Sequence, residues 1–314
     1  MSSYLNVVLS YLFDLILVLN RGYSLTILVL VVYLQPLSEL MSGFGKILSN
    51  FIESSSDFKL IYRSGRNIIP ENEIKRILIL DSSFNPPHLG HLSLINQALI
   101  QTYNQNDVNN REIMLLLLIE NVDKKKLIGE LFDKRLEMMY LMAQEIEKTF
   151  LNINDVTIGL TKHGRFIDKS LSIINFLKHQ NLYNDQILTF LVGFDTLIRI
   201  FNPKYYLPDK LSNSLDNFMK TTNLFCLTRN FDQSIDENYQ NSFLNTIKTG
   251  NHDDIPSHWG ENIYLVNNHD EHISNISSST TRNEIESSDP NWKLKVLPQI
   301  RDLIIKNGLY GYKE

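Results

Sequence analysis

The stretch that decides the fold is Ile77-Leu78-Ile79-Leu80-Asp81-Ser82-Ser83-Phe84-Asn85-Pro86-Pro87-His88-Leu89-Gly90-His91. Its first four residues are an unbroken apolar run, closed at once by polar and turn-forming residues, which is the pattern of a short buried strand. Beyond it, Leu92, Ile95 and Leu99 recur at helical spacing, so a helix is expected over residues 91–102. The loop between them contains neither G-x-G-x-x-G nor G-K-[ST], the two familiar phosphate loops. Instead Pro86 and Pro87 stiffen it, and His88 and His91 stand three apart where the helix begins. A helix start offers unpaired backbone N–H groups and the positive end of the dipole, both favourable to anions. Two imidazoles placed there can donate to phosphate oxygens and stabilise charge that develops on a bridging oxygen. A lone histidine would read as a turn cap or a core residue. The pair, directly after a strand and a turn, reads as phosphate chemistry.

Outward from this stretch the pattern repeats. Apolar runs at 113–119, 156–160, 187–192, 224–227 and 263–266 read as strands, and 131–148 and 171–177 as helices. Strands alternating with helices predict an α/β fold, a doubly wound and mostly parallel sheet covered on both faces. Such sheets bind ligands beyond the carboxyl ends of their strands. Residues 53–57 read as a linker, and the polar, Asn- and Asp-rich residues 230–260 as a long surface excursion. The expected organisation is an apolar N-terminal extension (1–40), a linker and lead-in (41–73) and the main domain (74–314).

The extension holds two apolar runs, 4–19 and 25–37, divided by Asn20-Arg21-Gly22. Each is shorter than the ~20 residues that cross a bilayer as a helix. A span over both would bury Arg21 at cost. No basic region precedes the first run, which argues against a signal peptide. Three readings stay open: a membrane anchor, a docking helix, or an extension absent from the working protein, with Met41 as an alternative start.

The composition, 43% hydrophobic and 21% charged over 314 residues, is that of an ordinary globular protein. A net charge of −5 supplies no broad basic field, which argues against nucleic acid as a partner. The single cysteine, Cys226, lies inside an apolar run, reads as core, and makes a disulfide framework impossible. The cytosol or nucleus is the expected compartment, with membrane association through residues 1–40 as the variant that the extension allows. No residue reads as a covalent nucleophile.

Ser83-Phe84-Asn85-Pro86 followed by His88-x-x-His91 resembles the signature of the H-x-G-H nucleotidyltransferases. Three further segments are similar, in order, to motifs of the branch that acts on nicotinamide mononucleotide. These are residues 121–127 followed by Arg135, Met138 and Ala143; Leu191-Val192-Gly193-Phe194-Asp195-Thr196-Leu197; and Ile276-Ser277-Ser278-Ser279-Thr280-Thr281-Arg282. The resemblance spans residues 76–312 and points to the fungal branch that includes the promoter-of-filamentation protein. It implies a Rossmann-like fold and transfer of AMP from ATP, with Mg²⁺, to nicotinamide mononucleotide or its nicotinic acid analogue.

The resemblance also implies roles. His88, His91 and Arg282 would carry catalysis. Ser83, Phe84, Gly193, Asp195, Ser278 and Ser279 would join them in binding ATP, with Ser278 and Ser279 capping a second helix. Lys124 and Asp195 would meet the acceptor. Plainer readings stand beside each: Lys124-Lys125-Lys126 as a solvated charge run, 193–195 as a strand-end turn, Ser278-Ser279 as a helix cap. Three departures are visible. Ser82 replaces the family's glycine, Ser279 replaces a threonine, and the tryptophan that stacks on nicotinamide is absent, Phe166 being the only aromatic in the corresponding residues 159–170. Other readings therefore remain: a nucleotide-binding regulatory or adaptor protein with weak ATPase activity, or a transferase with another acceptor.

Overall fold

The run at residues 77–80 is the core of a central strand. In the computed structural model, which describes residues 37–65, 74–103, 110–119, 130–183, 185–228, 237–268 and 271–313, it forms β2 (Arg76–Asp81) of a seven-stranded sheet. The chain divides into residues 1–44 and 45–314, and the sheet belongs to the second unit. The elements in chain order are α1 (Leu37–Glu53), β1 (Phe58–Arg63), β2, α2 (Leu89–Ile100), β3 (Arg111–Leu118), α3 (Glu130–Thr149), β4 (Val156–Thr161), α4 (Phe166–His179) and β5 (Ile187–Gly193). Then come α5 (Phe194–Ile200), α6 (Leu211–Thr221), β6 (Thr222–Leu227), α7 (Glu237–Lys248), β7 (Ile263–Val266), α8 (Glu271–Ser274), α9 (Ser278–Glu286) and α10 (Pro298–Asn307).

The strand order is β1-β4-β3-β2-β5-β6-β7. All neighbours pair parallel except β1, which runs antiparallel to β4. The six parallel strands have the doubly wound order, and their winding reverses between β2 and β5. Central parallel strands are covered on both faces and so read as continuous apolar runs. Ile77, Leu78, Ile79 and Leu80 of β2, and Leu188, Phe190, Leu191 and Val192 of β5, are accordingly buried. Cys226 lies buried in β6, and burial pushes its thiol well above the usual range. Arg111, buried at the start of β3, donates to the carbonyls of Leu99 (2.7 Å) and Gln101 (3.0 Å) and so satisfies the end of α2.

Two stretches differ from expectation. Phe58–Arg63, placed by the sequence inside the lead-in, is a strand of the sheet. Its Lys59 and Arg63 and its edge position hide the alternation that marks a buried strand. Of the expected surface excursion at 230–260, residues 237–260 instead pack on the sheet, where α7 and the following turn contribute Ile247, Ile255 and Trp259 to the core; residues 230–236 lie outside the described residues. Phe243, Leu244 and Ile247 make a narrow apolar stripe on α7, whose other residues are polar apart from Tyr239, and Phe243 meets the Phe194 ring edge-on at 5.6 Å. Among the described residues no helix is long and apolar enough to cross a membrane. The apolar runs of the first 36 residues lie outside the described residues.

Candidate active site

The winding reversal leaves a crevice beyond the carboxyl ends of β2 and β5, where doubly wound sheets place their ligands. A cleft of ≈ 450 Å³ lies there. One wall is the loop after β2 and the start of α2. Phe84 is fully buried with φ 47°, a left-handed backbone that a bulky residue adopts only under strain. Its ring packs 5.2 Å from that of His91 and anchors the loop, which leaves Ser83 and Asn85 to face the cleft. The His88 and His91 rings lie 3.8 Å apart between centroids. The His88 backbone N–H donates to His91 Nδ1 (3.0 Å), so in the neutral ring the proton is on Nε2, which faces Ser82 Oγ at 2.9 Å. Gly90 is required between them, since a Cβ there would lie 2.9 Å from His88 Nδ1.

The opposite wall is the start of α9. Ser277 is the N-cap, with extended backbone, and its hydroxyl accepts from the Thr280 N–H at 3.1 Å. The cap is therefore Ser277 and not the expected Ser278 and Ser279. The Ser278 hydroxyl instead donates to the Pro86 carbonyl (2.9 Å). Arg282 donates to the Asn85 carbonyl (2.6 Å) and reaches Ser279 Oγ at 3.3 Å. Tyr310 O–H donates to Asn85 Oδ1 (2.9 Å). These bonds fix the histidine loop against a second helix start, so two positive helix ends converge on one cleft. At its floor Gly193 closes β5, and a Cβ there would come within 2.8 Å of Asp195 Oδ1. Asp195 lies in the first turn of α5, half-exposed, 3.3 Å from Arg199.

A second cleft, ≈ 850 Å³, adjoins the first, and both are lined by Asp81, Ser82, Ser83, Arg135 and Thr196. Phe132, Phe166, Tyr205 and Tyr206 give it aromatic walls. Between the clefts Asp81, at the end of β2, pairs with the ammonium of Lys169 from α4. Burial holds the Asp81 carboxyl above the usual carboxylate range, against the attraction of Lys169.

A Schizosaccharomyces pombe protein named as a nicotinamide mononucleotide adenylyltransferase is 32% identical over 256 residues, which cover 82% of this chain and 92% of its own. The chain belongs to the nicotinamide mononucleotide adenylyltransferase family. No family model matches it. Two solved structures of the Plasmodium falciparum nicotinic acid mononucleotide adenylyltransferase, complexed with APC and with NaAD, are 20% identical, with TM-scores of 0.48 and 0.46. Each match covers 76% of this chain and 98% of the other.

For a member of this adenylyltransferase family the placement of the expected residues is informative. Ser83, His88, His91, Gly193, Asp195, Ser278, Ser279 and Arg282 all line the first cleft. Phe84 serves it from below as an anchor. Lys124 lies outside the described residues. Sequence reasoning overlooked the Asp81–Lys169 pair. Its signal was a lysine on the face of α4 that carries buried Ile173 and Leu177, at i, i+4 and i+8. It also found only Phe166 as an aromatic for the second cleft. Phe132, Tyr205 and Tyr206 come from two other segments that only the fold brings alongside.

Proposed function

We propose that the enzyme transfers AMP from ATP to nicotinamide mononucleotide, or to its nicotinic acid analogue, forming the dinucleotide and releasing pyrophosphate. The observation that carries the proposal is the convergence of the α2 and α9 N-termini, with His88, His91 and Arg282, on one cleft that opens into a second, aromatic one. The family relationship supports the same chemistry. In this reading the triphosphate occupies the first cleft and the acceptor's base and ribose the second.

An oxygen of the acceptor's phosphate attacks the α-phosphorus in line. The bond from that phosphorus to the α–β bridging oxygen breaks, and pyrophosphate departs with the electron pair. The protein supplies placement and charge stabilisation rather than a covalent intermediate. His91 Nε2–H, His88 and the Arg282 fork meet the negative charge that grows on the leaving oxygens. Ser82, where the family has glycine, holds the His91 proton in the meantime and must yield it to phosphate. Asp195 accepts hydrogen bonds from the hydroxyls of a ribose; Lys124, the expected contact of the acceptor or the phosphates, lies outside the described residues.

Mg²⁺ fits this chemistry as a companion of the phosphates. Of the carboxylates at the clefts, Asp81 is committed to Lys169 and Asp195 lies half-exposed beside Arg199. Neither makes a cage, and Mg²⁺ commonly keeps its waters and few protein ligands. When bound it neutralises triphosphate charge. The test is steady-state turnover with ATP, Mg²⁺ and either mononucleotide. Dinucleotide from either acceptor supports the proposal, and none from both contradicts it.

A further inference from the structure

Arg135 stands in the second turn of α3 and lines both clefts. Its guanidinium packs over the Phe132 ring, 5.0 Å from the centroid. Among the described residues its buried Nε has no hydrogen-bond partner. The groups that act on it electrostatically are the like-charged Arg282 and the Tyr310 phenol, which burial keeps neutral. Burial lowers its pKa from the usual arginine value, yet a guanidinium stays charged in proteins and presents five donors. A desolvated cation without an anion is costly to maintain.

The other cations at the second cleft are already engaged: Lys169 by Asp81, Arg165 by Asp168 at 2.8 Å, and Arg199 by Asp195 at 3.3 Å. Among the described residues that line both clefts, Arg135 is the cation. An acceptor that attacks through its phosphate must present that group where the two clefts join.

Resting on the reading above, we infer that Arg135 is the seat of the acceptor's phosphate, binding two of its oxygens in parallel and turning the third toward the α-phosphorus. The planar fork matches that geometry and a lysine does not. Arg135 is then a binding residue for the acceptor, distinct from the groups that hold the triphosphate.

The test uses the full chain with the first cleft saturated by a non-hydrolysable ATP analogue, and inorganic phosphate as the probe. Arg135→Met keeps the stem over Phe132 and removes the fork. It is expected to weaken phosphate binding by about 10- to 100-fold while ATP-analogue affinity stays within about three-fold. Phosphate binding equal to wild type, or an equal loss of the ATP analogue, overturns the assignment. Arg135→Lys covers the case in which the Met variant melts early. Intermediate phosphate affinity is expected, and wild-type affinity contradicts two-pronged binding. Because phosphate replaces the mononucleotide, a wild type that binds phosphate through Arg135 but uses neither mononucleotide would refute the acceptor reading and leave Arg135 standing.

Discussion

Replacing Lys169 by Met keeps the length and apolar stem of the side chain but removes the charge that Asp81 needs. The two side chains are 3% and 10% exposed, so the carboxylate would be left buried and unpaired. Breaking one side of such a pair costs about 3–5 kcal/mol. Loss of the ammonium 4.7 Å from the Phe166 centroid adds about 0.5–2 kcal/mol. Proton uptake sets a ceiling, because each pH unit between the ordinary carboxylate value of about 3.9 and the medium is worth about 1.4 kcal/mol. Burial already holds Asp81 above the ordinary range, and removing Lys169 raises it further. The folded state then binds a proton more readily than the unfolded chain, so stability falls as pH rises. The deficit of the variant should be smallest near the ordinary carboxylate value of about 3.9. It should widen upward through the raised folded value until Asp81 is ionised. Urea unfolding of wild type and Lys169→Met at pH steps from about 5 to about 8 reads this directly. Adding Asp81→Asn to Lys169→Met should recover much of the loss, since no buried charge remains. A deficit under about 1 kcal/mol at neutral pH, or one that widens as pH falls, would refute the reasoning.

Three further substitutions probe the first cleft. His91→Ala should lower turnover by ~10²–10³ with the circular dichroism of the fold retained, and turnover within a few-fold of wild type would remove His91 from the chemistry. Arg282→Ala should weaken ATP use, and Arg282→Lys should restore it only in part, because Lys cannot hold the Asn85 carbonyl and a phosphate together; full rescue in the same kinetic assay contradicts the clamp. Asp195→Asn should raise KM for a ribose-bearing substrate more than it lowers kcat, by roughly 1–3 kcal/mol of lost charged hydrogen bonding. Its ion pair with Arg199 is half-exposed, so the melting temperature should hardly move, and a large kcat effect with unchanged KM would contradict the assignment.

The sheet was legible because its parallel strands are buried on both faces and leave apolar runs in the sequence, as Ile113 to Leu118 does. The loop from Ser83 to His91 was legible because strand, proline turn and paired histidines are contiguous. What sequence reading missed depends on distance along the chain. Asp81 and Lys169 are 88 residues apart, and nothing local says that α4 delivers an ammonium to the end of β2. Tyr310 reaches Asn85 across 225 residues. The aromatic walls of the second cleft combine α3, α4 and the turn at Tyr205 and Tyr206. The edge strand β1 was hidden because Lys59 and Arg63 interrupt its apolar run, and the helix α7 because its polar residues outnumber the few apolar ones that dock it. Ser278 and Ser279 were misassigned as caps because three consecutive serines, 277–279, are equivalent in propensity, and only backbone geometry selects Ser277.

In the proposed reaction the α-phosphoryl group of ATP ends in a dinucleotide. ATP labelled at its α-phosphate, incubated with the protein, Mg²⁺ and nicotinamide mononucleotide or its nicotinic acid analogue, should place the label in the dinucleotide. One pyrophosphate should be released for each dinucleotide formed. Label recovered as ADP, with inorganic phosphate released and no dinucleotide from either acceptor, would contradict the account.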